Sequence, residues 1–153
     1  MEKRGSSPAL TNYKDKKILA TGGESPWNMC EISEHRITLA CAEVYSVASD
    51  YWSIIPEMNV ARSAHGSCTV ANYVYVACGS YKIITCPQYD NYDYCIRNLQ
   101  SIERINMNDI YGGWEELHVA TGENLSRRNS IFMAGLSCDE LLIIGGNNSK
   151  DLG

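Results

Sequence analysis

The chain has 153 residues, 44% hydrophobic and 20% charged, ordinary proportions for a folded globular domain and unlike those of a disordered tail. A formal charge of −5 without any basic stripe removes the main driving force for sequence-independent binding to nucleic acid. Apolar runs such as Leu141-Leu142-Ile143-Ile144 are too short to cross a bilayer and no apolar region follows Glu2-Lys3-Arg4, so neither membrane nor export is expected and the setting is read as cytoplasmic. Seven cysteines, an odd count, read as reduced residues, most of them in the core. A Cys86–Cys95 pairing stays open if the setting is oxidising.

In chain order, Arg4 stands ahead of a first short strand. Lys17-Ile18-Leu19-Ala20-Thr21 predicts a second, halted by Gly22-Gly23. Glu43-Val44-Tyr45-Ser46 predicts a third, and Trp52 marks a fourth, from which Pro56-Glu57-Met58 returns to Arg62. The set then repeats. Arg62 precedes one strand, Val74-Tyr75-Val76-Ala77-Cys78-Gly79 forms the next, Glu103-Arg104-Ile105-Asn106 follows, and Trp114 closes the unit. It starts a third time with Arg128 and Leu141-Leu142-Ile143-Ile144-Gly145-Gly146. The arginines are 58 and then 66 residues apart (62 − 4, 128 − 62). Glycine pairs end strands where the backbone needs positive φ and a close neighbour. No dozen-residue segment shows the spacing of an amphipathic helix, so the fold class is all-β.

Arg-x-x-His-Gly from Arg62, the glycine-ended strand, Glu-Val-Tyr, Trp and Pro-x-Met-x-x-x-Arg together resemble the kelch repeat, most closely over residues 43–79. Cys78 departs from the pattern at the first glycine of its pair, and Ala120-Thr121-Gly122 replaces the Pro-x-Met step. The resemblance implies four-stranded antiparallel blades of a kelch-type β-propeller. Blade 1 covers about 4–58, blade 2 about 62–122, and the first half of blade 3 about 128–146. Tyr45, Trp52 and Trp114 would fill the wedges between blades. Two and a half blades leave the ring incomplete, so further repeats or other chains are expected to complete it.

The resemblance also implies a non-catalytic interaction scaffold, a substrate adaptor or a cytoskeletal component, that meets a protein partner through loops on one face. Two long loops are expected on that face, about residues 24–40 and 80–100. The second carries Tyr81, Tyr89, Asp90, Tyr92, Asp93 and Tyr94, aromatic and acidic contact chemistry. Arg62, with its neighbour Ser63, and Arg128 fall where kelch domains grip acidic motifs through bidentate guanidinium pairs. The competing role for these arginines is structural, bonding loop carbonyls or carboxylates. His65 is read as packing. Cys30, His35 and Cys41 are too loosely spaced for zinc, so no metal and no cofactor are expected. The alternative is an enzyme on a kelch-like propeller, resembling galactose oxidase or a sugar epimerase. Three histidines, His35, His65 and His118, supply little for a copper site of that kind.

Overall fold

The computed structural model describes residues 6–26, 36–85, 93–118 and 128–147. The strands are β1 (Ala9–Tyr13), β2 (Lys17–Thr21), β3 (Glu24–Pro26), β4 (Arg36–Thr38), β5 (Ala42–Ser46), β6 (Tyr51–Ile55) and β7 (Gly66–Val70). After them come β8 (Tyr73–Ala77), β9 (Ser80–Thr85), β10 (Asp93–Asn98), β11 (Ile102–Asn106), β12 (Trp114–Leu117), β13 (Asn129–Gly135) and β14 (Leu141–Asn147). Two four-stranded antiparallel sheets, β1-β2-β5-β6 and β7-β8-β11-β12, are followed by the two-stranded pair β13-β14. Among the described residues no ring closes.

Alternation builds the sheets. Along β7 every second side chain is buried, and β8 opposite it is Val- and Tyr-rich with the complementary pattern, as strands packed on both faces require. The inner strands then stack in succession. Thr11 bonds Ser67 and Thr69 Oγ1 donates to the Asn12 carbonyl at 2.7 Å, joining β1 to β7. Gly66 of β7 lies so close to β13 that a Cβ there would sit 2.6 Å from Met133 Cγ. One apolar cluster fills the first seam, with Tyr13, Leu19, Val44 and Ile55 from the first sheet against Val74, Ile105 and Trp114 from the second. A smaller one, Ala77, Cys78, Ile102 and Ile131, fills the second seam.

The seams are stitched by backbone bonds that recur. The Gly23 amide donates to the Arg62 carbonyl and the Gly79 amide to the Arg128 carbonyl, both at 2.9 Å. Ser7, Ala64 and Ser130 each take positive φ, at 53°, 50° and 55°. Ala64 donates to the Ser7 carbonyl and Ser130 to the Ala64 carbonyl, so the three kinks form a chain across the inner ends of the units. The bridge Ser6↔Glu24 matches Ser63↔Ser80. Aligning Ser6 with Ser63 places residue 5, a glycine, at the position of Arg62. Arg4 is therefore one residue out of register, and it lies outside the described residues.

Two expectations need correction. The segments 24–40 and 80–100 are not simple loops, because β3–β4 and β9–β10 pair as hairpins beyond the glycine pairs. Trp52 is only half-buried, its ring 5.2 Å from that of Tyr45. Both project from the flank of the first sheet turned away from the second, which no described element covers. Trp114, the corresponding residue of the second sheet, has a neighbour there. It is 7% exposed, and its indole N–H donates to the Pro56 carbonyl at 2.8 Å.

Candidate partner-binding face

Gly22-Gly23 and Cys78-Gly79 end β2 and β8 on one face, and the backbone there must approach its neighbours closely. Gly79 has φ 92°, and a Cβ on it would lie 2.7 Å from both the Ser63 carbonyl and His65 Cβ. Cys78 adopts φ 57° in place of the first glycine and is fully buried. His65 sits in the same seam, 5% exposed, with Nε2 2.9 Å from Thr21 Oγ1 of the first sheet.

Arg62 enters this seam from the connector and has no solvent exposure. One terminal nitrogen donates to the Cys78 carbonyl at 2.9 Å and to the Ser101 carbonyl at 3.2 Å. The other donates to Ser101 Oγ at 3.1 Å and pairs with Glu103, itself fully buried in β11. The Glu103 carboxylate accepts the Asn59 amide at 2.6 Å and the Val60 amide at 3.2 Å as well. Arg62 thus ties its connector to the third strand of its own sheet. Ser63 is 1% exposed and bonds Ser80 and Glu24. The expectation that Arg62 and Ser63 touch a partner is corrected on these grounds, since neither reaches the surface. Arg128 repeats the inward contact, donating to the Gly145 carbonyl at 2.9 Å as Arg62 does to Cys78, and is half-buried. Glu103 is the residue that sequence reasoning missed. Its signal was present in Glu43 and Glu103 at the same place in the third strand of both units.

Beyond the glycines, the two hairpins are joined side by side. The Lys82 amide of β9 donates to Thr38 Oγ1 of β4 at 3.0 Å, and its ammonium lies 3.1 Å from the Glu24 carboxylate of β3. Tyr81, half-buried, pairs with Arg97, and Ile37, Ile96 and Arg97 are exposed. Asp93 and Tyr94 lie on β10 opposite Thr85 and Ile84. Tyr89, Asp90 and Tyr92 fall outside the described residues, as does Cys86.

The thiols of Cys68 and Cys78 are buried. Burial pushes Cys68 up to about 11, and it raises Cys78 too, against the opposing effect of Arg128 and Arg62. Tyr45 is raised by donating its hydroxyl to the Asp50 carboxylate at 2.5 Å. Among the described residues no three His, Cys, Asp or Glu side chains converge as metal ligands. Among the described residues no helix is long and apolar enough to cross a membrane.

No family model matches the sequence. A stretch of 66 residues is 32% identical to the Kelch repeat and BTB domain-containing protein 2 of cowpox virus (strain Brighton Red), covering 43% of this chain and 10% of that protein. Among solved structures, YjhT superposes with a TM-score of 0.66 at 14% identity, over 99% of this chain and 41% of that one. The fold is a kelch-type β-propeller, present in part. This chain spans only 10% of the cowpox protein and 41% of YjhT. Trp114 and Arg62 are buried between and within the two sheets, and the hairpins β3–β4 and β9–β10 lie beyond the strand-ending glycines Gly23 and Gly79.

Proposed function

We propose that this kelch propeller segment is a non-catalytic scaffold that presents hairpins β3–β4 and β9–β10 to a partner protein. The observation that carries the reading is the cross-link through Lys82. It holds the two hairpins in fixed relation while leaving Ile37, Tyr81, Ile96 and Arg97 at or near the surface. Aromatic and arginine side chains on a pre-ordered surface are the residue types that dominate protein interfaces. An acidic motif on the partner fits the exposed Arg97, now that Arg62 is occupied internally. The name of the cowpox relative, with its kelch repeat, supports the same class of role.

A second part of the proposal is that neighbouring blades complete the assembly, from further repeats or from another chain. Leu10, Trp52 and Ile54 on one outer flank, and Phe132, Leu142 and Ile144 on the other, are exposed or half-buried apolar side chains. Their counterparts in the inner seams are covered. Sheet faces of this kind associate. Crosslinking to a partner captured by the protein, followed by the Ile96→Glu/Arg97→Glu variant, tests the binding reading. The variant should keep its melting temperature and lose the crosslink. Undiminished crosslinking would overturn the reading.

A further inference from the structure

The ends of the sheets opposite the glycine pairs carry short turns, and one of them stands out. The 3-10 turn Lys14–Lys16 joins β1 to β2, with Lys17 next to it, so three of the chain's 13 Lys and Arg fall within four residues. Asp15 leaves the turn at +2 in a protein of −5 (three lysines less one aspartate). All three lysines are exposed. A groove runs between this turn and the turn after β11, lined by Tyr13, Lys14, Lys16, Lys17, Met107 and Asn108. A second cleft flanks the same turn, where Ile18 and Val47 add apolar surface.

Tyr13 gives the groove a second, independent feature. It is 4% exposed, and its hydroxyl has no hydrogen-bond partner among the described residues. Buried hydroxyls are ordinarily satisfied, so this donor is left for an acceptor other than the described protein groups. The Lys14 ammonium lies 5.0 Å from the Tyr13 ring centroid, so the unsatisfied donor and the cationic cluster share one wall.

We propose that this groove binds an acidic peptide segment of a partner protein. Its carboxylates meet the three ammonium groups, and one of them accepts the Tyr13 hydroxyl directly or through a single water. Met107, Ile18 and Val47 receive apolar side chains that flank the acidic run. Three cations on an acidic chain release too few counterions to hold a nucleic acid strand. The site lies on the face opposite the hairpins and does not rest on their assigned role.

Fluorescence anisotropy of the full chain with a labelled peptide of six glutamates flanked by leucines tests it. Wild type should bind, and binding should weaken as salt rises. The Lys14→Glu/Lys16→Glu/Lys17→Glu variant should weaken it by about tenfold or more. Tyr13→Phe should weaken it by about three- to tenfold while the melting temperature holds or rises, since the hydroxyl removed has no partner among the described residues. Ile96→Glu/Arg97→Glu should bind this peptide like wild type, which separates the groove from the hairpin face. Equal affinity in the triple lysine variant would overturn the proposal, and so would a lowered melting temperature in Tyr13→Phe. Tighter binding of an oligothymidylate of equal charge would overturn the choice of a peptide.

Discussion

Replacing Arg62 with methionine removes the cation from the first complete seam while keeping a side chain of similar length. Four bonds disappear, to the carbonyls of Cys78 and Ser101, to Ser101 Oγ and to Glu103. The Glu103 carboxylate stays fully buried, held only by the amides of Asn59 and Val60. Breaking a buried ion pair from one side costs about 3–5 kcal/mol, because the remaining charge has lost its compensation. For a chain of this size that lowers the melting temperature by roughly 6–20 °C, at about 2–4 °C per kcal/mol. Adding Glu103→Gln should recover part of the loss, since a glutamine carbonyl still accepts an amide without leaving a charge behind. Differential scanning calorimetry of the single and double variants reads this directly. An unchanged melting temperature in Arg62→Met, together with weakened partner capture, would show that Arg62 works at the surface and refute the structural assignment.

Trp114→Ala should destabilise by about 3–5 kcal/mol, and Trp52→Ala clearly less because Trp52 is half-exposed; equal losses in denaturant titrations would mean that both flanks are covered. Gly79→Ala combines positive φ with a 2.7 Å approach to the Ser63 carbonyl, so a loss of about 1–3 kcal/mol is expected, and a neutral result in the same titration would place that carbonyl elsewhere. Cys68, pushed up to about 11 by burial, should resist a thiol reagent at neutral pH while exposed Cys138 reacts at once. Because its folded value is the higher one, the stability that Cys68 protonation contributes is complete below pH 9. It fades as pH rises toward 11, and melting curves across that window check the sign.

Much of the blade framework was legible because its signals are local. Strand-ending glycines after short apolar runs marked β2, β8 and β14, and Glu-x-Tyr and Glu-x-Ile marked β5 and β11. What escaped depends on contacts distant in sequence. Arg62 meets Glu103 across 41 residues, and no local pattern says that its guanidinium turns inward. The residues of hairpin β9–β10 lie far along the chain from those they meet in hairpin β3–β4, as Lys82 meets Thr38 across 44 residues. Trp52 and Trp114 read alike in sequence, yet only Trp114 has a sheet against its face. The first unit was read one residue out because Arg4 imitates the repeat. The backbone kink at Ser7, matched by Ala64 and Ser130, fixes the true register.

Successive sheets pack face against face and are locked at one end of each seam through the Gly23 and Gly79 amides, which donate to the carbonyls of Arg62 and Arg128 in the following unit. Hydrogen–deuterium exchange resolved at these two amides measures that lock directly. It should show protection comparable to the amides of the core strands β2 and β8. Exchange of either amide at the rate of an open loop would mean that the units do not meet as blades, and would contradict the propeller seam on which the fold and the hairpin face depend.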